Sequence, residues 1–179
     1  MHLKNVVKRN KGANNMIKDD EKFIHGIGYS YPGVYLSDAM DNLAEMFEYA
    51  TIDCKLSVDK AFDIFLDSGV GEAYGEGDYY YISGMQGHEV FKRACVKLFG
   101  IDYEDMPMVT KKPYPSEAYW FGMELAYYQF YRNVTFKDIK ETGVPMEDLK
   151  DMYYPYHEAS FERAAIAFDE VLGLGNGNK

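Results

Sequence analysis

Acidic side chains recur at helical spacing in two stretches of the chain. At 100° per residue, carboxylates three or four positions apart fall on one side of a helix. They lie about 4.5–6 Å apart along the helix axis, which is close to the spacing of phosphates along a nucleic-acid strand. The first acidic stripe is Asp38, Asp41, Glu45 and Glu48, and the second acidic stripe is Asp59, Asp63 and Asp67. The stripes predict partner-binding faces that imitate nucleic acid, although a solvated helix face has the same pattern.

The histidines and cysteines lack the spacing of catalytic or metal-binding motifs. His157 and Glu158 begin like a zinc-protease helix, but Phe161 stands where the second histidine would be. Cys54 and Cys95 do not form a Cys-x-x-Cys pair, and the sequence contains no Gly-x-Ser-x-Gly. We therefore expect no metal ion, no cofactor and no enzymatic activity.

A glycine-rich stretch, residues 69–78, has the composition of a phosphate-binding loop but not its sequence. It lacks the terminal Lys-Ser/Thr, and Glu72 and Glu76 would repel phosphate. Glycines also stand where a calcium loop needs carboxylates. We interpret the stretch as a flexible surface link, followed at 79–83 by a short strand or extended segment.

Glu124 marks one alternative site. It lies in a stretch that is apolar on nearly all sides, so its carboxyl group must be hydrogen-bonded, paired or placed at a pocket. A hydrogen bond to one of the many tyrosines is the simpler interpretation. A small enzyme with its site around Glu124 and neighbouring tyrosines is the alternative.

Two short helices predicted at 135–142 and 145–153 have the proportions of a helix-turn-helix unit. DNA reading would need basic side chains on the second helix, which instead carries Glu147, Asp148 and Asp151 against one lysine. We therefore interpret the pair as packing architecture and expect no direct nucleic-acid binding. A DNA-binding regulator is the further alternative.

Residues 116–132 are expected to form the central helix that positions these groups. Ser116 is a good N-cap, Pro115 precedes it, and the aromatic, Leu and Met side chains around Trp120 cover nearly all faces. Further helices are predicted at 37–53, 57–68, 88–98, 135–142, 145–153 and 158–172. The predicted fold class is mainly α: a compact single-domain helical bundle around a central aromatic helix at 116–132.

Charge divides the chain into a basic start and an acidic remainder. The first 22 residues carry six Lys/Arg and three Asp/Glu, which leaves 13 positive and 26 negative residues and a net charge of −13 in the rest. We expect a flexible basic arm at 1–22, a single globular helical domain at 23–174 and a frayed tail at 175–179. The acidic domain would repel nucleic acid and anionic membranes and attract basic proteins.

The sequence also indicates a cellular compartment. The N-terminus has no apolar stretch typical of a signal peptide, and no apolar run is long enough to span a membrane. Cys54 and Cys95 both fall on the apolar sides or ends of predicted helices. These features predict a cytoplasmic protein with two reduced, buried thiols and no contact with a membrane.

Three segments carry distinctive aromatic motifs. Residues 116–131 read Ser-Glu-Ala-Tyr-Trp-Phe-Gly-Met-Glu-Leu-Ala-Tyr-Tyr-Gln-Phe-Tyr, 135–139 read Thr-Phe-Lys-Asp-Ile, and 152–160 read Met-Tyr-Tyr-Pro-Tyr-His-Glu-Ala-Ser. Together with 35–46 and 65–69, they resemble a family of small, acidic, mostly uncharacterised proteins from gut Firmicutes and their mobile elements.

The resemblance spans about residues 35–170. The family pattern has tryptophans where Met123 and Phe130 stand here. The resemblance implies an accessory protein of a phage or conjugative element, of the kind that serves as an anti-CRISPR inhibitor or as an antitoxin. It transfers no catalytic residue.

We therefore expect a non-enzymatic inhibitor that binds a basic, nucleic-acid-handling protein. An anti-CRISPR protein against a Cas9-type nuclease is the first interpretation, and an antitoxin that neutralises a cognate toxin is the alternative. The expected partner-binding residues are Asp38, Asp41, Glu45, Glu48, Asp59, Asp63 and Asp67. Reversal of Asp41, Glu45 and Glu48 to lysine is expected to abolish binding and to leave the helices intact.

Overall fold

Helices joined by loops make up residues 30–174, the part of the chain that the computed structural model describes, and no strand occurs there. In chain order the helices are α1 (Leu36–Glu48), α2 (Val58–Asp67), α3 (Val70–Gly75), α4 (Tyr79–Ile82), α5 (Gly87–Phe99), α6 (Glu117–Arg132), α7 (Phe136–Glu141), α8 (Met146–Lys150), α9 (Tyr153–Tyr156) and α10 (Phe161–Leu172). The predicted mainly α fold is confirmed. The arm predicted at 1–22 and the tail predicted at 175–179 lie outside the described residues.

The central helix, α6, begins and ends at capping residues. The Ser116 hydroxyl oxygen accepts a hydrogen bond from the Tyr119 N–H (3.1 Å), and Asn133 ends the helix with a left-handed backbone conformation (φ 51°). The buried residues of α6 cover several of its faces: Ala118, Trp120, Phe121, Gly122, Glu124, Leu125, Ala126, Tyr128, Gln129 and Phe130. The expectation of a buried aromatic helix at this position is confirmed.

α1 lies directly against α6, and the two backbones touch. A Cβ atom at Gly122 would lie 2.5 Å from the Leu43 carbonyl oxygen and 2.6 Å from the Ala44 Cα. The rings of Phe47 and Phe121 extend this contact edge to face, with 4.9 Å between their centroids. Because this side of α1 is buried, the carboxylates of the first acidic stripe are left on the outward side.

A buried ion pair ties the end of α6 to α10. The Arg132 guanidinium pairs with the Asp169 carboxylate, and the Tyr128 hydroxyl donates to Asp169 Oδ1 (2.9 Å). Asp169 is buried, so these two partners compensate for the loss of its hydration.

The expectation of a short strand or extended segment at 79–83 is wrong, because these residues begin with the helical turn α4. Asp78 caps the turn through Oδ1, which accepts from the Tyr80 N–H (3.0 Å). The Asn42 side-chain amide on α1 donates to the Ile82 carbonyl oxygen (2.5 Å) at its other end. These two caps satisfy backbone groups of the turn and outweigh the β propensity of three consecutive tyrosines.

The flexible link expected at 69–78 is also wrong, because α3 lies within it. A Cβ atom at Gly71 would lie 2.9 Å from Leu66 Cδ2, so glycine at this position lets α3 pack closely on α2. Tyr74 is fully buried and its hydroxyl donates to the Ala39 carbonyl oxygen (2.5 Å). The glycine therefore serves close packing.

Candidate functional site

The first acidic stripe lies along the outward side of α1, and its two halves differ. Asp38 and Asp41 are exposed, and within residues 30–174 neither carboxylate has a hydrogen bond or an ion pair. Glu45 and Glu48 instead accept hydrogen bonds from the backbone of other segments. Asp38 and Asp41 are therefore the carboxylates of this stripe whose oxygens are all available to a partner.

Glu45 and Glu48 cap the first turns of two neighbouring helices. The Gly87 N–H, at the start of α5, donates to Glu45 Oε2 (3.0 Å). The Ser116 N–H, at the N-cap of α6, donates to Glu48 Oε1 (2.9 Å). A carboxylate at a helix N-terminus satisfies a backbone donor and is stabilised by the helix dipole. Lysine at either position would remove this acceptor, so charge reversal at Glu45 and Glu48 is expected to lower the stability of the fold, whereas reversal at Asp41 is not.

Replacement of Glu48 by alanine is expected to lower the free energy of unfolding by about 1 kcal/mol, because the Ser116 N–H loses its acceptor. Urea denaturation measures this change. Asp41→Ala removes an unpaired carboxylate from the same stripe and is the matched control, with an expected change below about 0.5 kcal/mol. Equal effects of the two substitutions would contradict the capping role.

The second acidic stripe, on α2, faces α7 and α8. The Met146 N–H donates to Asp59 Oδ1 (2.6 Å), and Asp63 forms an ion pair with Lys140. Asp67 is exposed and lines a groove of about 680 Å³ between α2, α3 and α7. The two stripes therefore contact different elements, and the second has two of its three carboxylates engaged within the fold.

Two hydrogen bonds between α2 and α8 show how the predicted helix-turn-helix pair, α7 and α8, is attached to the rest of the fold. The Asp59 carboxylate occupies the N-terminus of α8. The Val58 N–H of α2 donates to Glu147 Oε1 on α8 (2.9 Å). Both bonds join the second helix of the pair to α2, which supports the interpretation of the pair as packing architecture.

A cleft of about 330 Å³ opens beside the C-terminal half of the first acidic stripe. Glu45 and Glu48 line it together with Tyr119 of α6. Tyr114, which is 81% exposed, lines it from the loop between α5 and α6. The cleft thus combines carboxylates with aromatic rings, a composition suited to binding a cationic group.

The groups around the cleft leave it negatively charged. Burial, together with the carboxylates of Asp41, Glu45 and Glu48, raises the pKa of the Tyr119 hydroxyl. Burial lowers the pKa of His88, which also lines the cleft, so its ring is uncharged at neutral pH. The carboxylates thus add to the effect of burial on Tyr119, and the uncharged histidine does not offset their negative charge.

The loop that forms one wall of the cleft is fixed to the end of α1, where the helix passes into a π-helical turn. The Tyr49 hydroxyl donates to the Pro107 carbonyl oxygen (2.6 Å). Asp53 accepts from the Thr110 hydroxyl (2.5 Å) and from the Lys112 ammonium group (2.7 Å). Lys112 lines the cleft, but this ion pair neutralises its charge.

Tyr114, Tyr119 and His88 are not among the residues predicted to bind a partner. They are distant from the first acidic stripe in sequence and reach it only through the fold. The Pro-Tyr-Pro sequence at 113–115 is the one local signal, because the flanking prolines keep this tyrosine out of a helix.

Glu124 is buried in α6, and the tyrosine hydrogen bond expected for it is not found at its buried oxygen. The residue is 2% exposed, and Oε2 has no hydrogen-bond partner within residues 30–174. Burial, with Glu162 nearby, raises the pKa of Glu124 to about 8. Glu124 lines neither the cleft nor the groove beside Asp67. Its carboxyl group is therefore protonated at neutral pH and enclosed in the core.

The remaining chemistry-bearing side chains are dispersed. Among residues 30–174, His, Cys, Asp and Glu do not come together in a group of three that could hold a metal ion. The thiols of Cys54 and Cys95 are free, and burial raises both pKa values, that of Cys95 to about 11. Across the same described range, every helix is too short or too polar to cross a membrane.

Comparison of the chain with known protein families, with curated proteins and with solved structures finds no match. The resemblance to the mobile-element family therefore stays a prediction. Function is inferred from the geometry and charge of the first acidic stripe, which we call the acidic α1 face, and of the cleft beside it.

Proposed function

We propose that this protein is a non-enzymatic binding protein whose acidic α1 face binds a basic surface of a nucleic-acid-handling protein. The observation that carries the proposal is the pair Asp38 and Asp41. Both are exposed and unpaired, they lie one helical turn apart, and they share the outward side of α1 with the glutamates that line the cleft. Opposite charges across an interface speed association and exclude wrong partners.

The net charge supports the same proposal. The residues after position 22 carry 13 positive and 26 negative side chains, a net charge of −13. A field of this sign guides a basic partner and repels nucleic acid. A protein that covers a nucleic-acid-binding surface competes with nucleic acid for it, so the consequence of binding is inhibition.

The first partner that we propose is a Cas9-type nuclease, which makes this protein a cytoplasmic anti-CRISPR inhibitor. The nucleic-acid channel of such a nuclease is positively charged and fits an acidic helix face. A toxin that acts on nucleic acid offers a surface of the same chemistry, so an antitoxin is the alternative.

The test is binding of the purified full-length protein to an immobilised, guide-loaded Cas9-type nuclease and, separately, to a basic toxin encoded by a neighbouring gene. We expect capture by the nuclease that weakens as salt is raised, together with loss of target-DNA cleavage. Capture by the toxin alone would favour the antitoxin. Binding to neither protein would contradict the proposal.

A further inference from the structure

We propose that the cleft beside Glu48 binds the guanidinium group of an arginine side chain on the partner protein. The inference rests on the proposed function, because it names the chemical group that the acidic α1 face recognises. It concerns the cleft at the C-terminal end of α1, whereas Asp38 and Asp41 lie nearer the N-terminal end of the same helix.

Two tyrosines contribute aromatic rings to the lining of the cleft. Tyr114 is 81% exposed, so most of its surface is available, and Tyr119 is half-buried at the start of α6. A cation is attracted to the face of an aromatic ring, and the flat guanidinium group also stacks on it. A tyrosine exposed beside carboxylates has the amphipathic character of residues that anchor protein interfaces.

The two glutamates are held in position with one oxygen still available on each. Glu45 Oε2 and Glu48 Oε1 accept backbone N–H groups, at 3.0 Å and 2.9 Å. Within residues 30–174, Glu45 Oε1 and Glu48 Oε2 have no hydrogen-bond partner. Carboxylates that are already fixed lose little freedom on binding, and the N–H groups of a guanidinium make short, charge-assisted bonds to such oxygens.

The basic side chains at the cleft do not compete for these oxygens. The Lys112 ammonium is paired with Asp53 (2.7 Å), and its side chain is 15% exposed. The His88 ring is uncharged at neutral pH because burial lowers its pKa. The negative potential of the cleft is therefore available to a cation from outside.

Arginine fits this arrangement better than lysine. A guanidinium group can stack on a tyrosine ring while its N–H groups reach two carboxylates, whereas an ammonium group is a compact point charge that stays strongly hydrated. We expect the cleft to give arginine selectivity, and Asp38 and Asp41 to attract either cation equally.

The test measures the affinity of the full-length protein for oligoarginine and oligolysine peptides of equal length. We expect the wild type to bind oligoarginine about tenfold more tightly than oligolysine. The double variant Tyr114→Leu/Tyr119→Leu should bring this ratio close to one while it retains the affinity for oligolysine. Tyr154→Leu is the matched control, because Tyr154 is also exposed (73%) but does not line the cleft.

The outcomes separate the inference from the proposed function. Equal affinity of the wild type for the two peptides would overturn the arginine cleft and leave the acidic face as the binding surface. Arginine selectivity that survives the tyrosine substitutions would also overturn it. Failure to bind either peptide would overturn both proposals. Should Tyr119→Leu unfold the protein, Tyr114→Leu alone, in an exposed loop, makes the same test.

Discussion

Alanine at Gly122 is expected to lower the free energy of unfolding by about 3 kcal/mol or to prevent folding. The added Cβ atom would lie 2.5 Å from the Leu43 carbonyl oxygen and 2.6 Å from the Ala44 Cα. Both atoms belong to the backbone of α1, so α1 would have to move away from α6 along their whole contact. Urea denaturation followed by circular dichroism measures the loss of stability.

The matched control for this substitution is Gly33→Ala. A Cβ atom at Gly33 would meet Phe130 Cζ at 3.6 Å, an ordinary contact, so we expect a change below about 0.5 kcal/mol. A Gly122→Ala variant as stable as the wild type would contradict the close approach of α1 and α6. It would also remove the reason why the first acidic stripe faces outward.

Glutamine at position 124 is expected to make the protein more stable than the wild type at alkaline pH, by up to about 5 kcal/mol above about pH 8. The Glu124 carboxyl group is buried with Oε2 unpartnered, and burial raises its pKa from 4.5 to about 8. Above that pH the folded wild type must hold a charge in its core, whereas glutamine stays neutral.

The sign of the effect follows from the protons that each state binds. Between pH 4.5 and about 8, the folded protein keeps a proton on Glu124 that the unfolded chain has lost. The contribution of Glu124 is therefore complete below pH 4.5, and it is lost as the pH rises through this window. The free energy of unfolding should fall by up to about 1.4 kcal/mol per pH unit.

The measurement is the urea midpoint of the wild type and of Glu124→Gln across this pH range. Glu170→Gln is the matched control, because Glu170 is an exposed glutamate on α10. The difference between the wild type and Glu124→Gln should grow with pH, and the difference between the wild type and Glu170→Gln should stay constant. Parallel curves for the wild type and Glu124→Gln would show that Glu124 is not a protonated core residue.

The helices that carry their own boundary signals could be predicted from the sequence. Ser116 caps α6 as expected, and Ser57 caps α2 by accepting from the Lys60 N–H (3.2 Å). Such caps are local, so the residues that form them are neighbours in the chain. The burial of α6 also follows from its composition, because a helix that is apolar on nearly all sides has no face for water.

The helices α3 and α4 could not be predicted, because the sequence pattern does not show the packing and the long-range hydrogen bond that help to stabilise them. In the sequence, Gly71 suggests a flexible loop. In the structure, the Leu66 side chain lies so close to Gly71 that a Cβ atom would not fit. The turn at α4 depends on Asn42, which is 40 residues away from Ile82 in the chain. Local propensity therefore indicates a loop and a strand where packing and long-range capping produce two helices.

The sequence predicts that the first acidic stripe lies on one face of a helix, but it does not predict the capping roles of Glu45 and Glu48. Helical periodicity places Asp38, Asp41, Glu45 and Glu48 on one side of α1, as the structure shows. The backbone donors that Glu45 and Glu48 meet lie 42 and 68 residues further along the chain, so periodicity cannot identify them. Tyr114 and Tyr119 of the cleft are also far from the stripe in sequence, and only the folded chain brings them close to Glu45 and Glu48.

The most direct test of the acidic α1 face is the affinity of Asp38→Lys/Asp41→Lys for the guide-loaded Cas9-type nuclease or the toxin that captures the wild type. Both positions are exposed and make no hydrogen bond or ion pair within residues 30–174, so the fold should be retained. Asp148→Lys/Glu170→Lys makes the same change in net charge at exposed positions on α8 and α10. We expect the first variant to bind at least about tenfold more weakly than the wild type and the control to bind as tightly as the wild type. Equal affinity of the first variant and the wild type would contradict the role of the acidic α1 face.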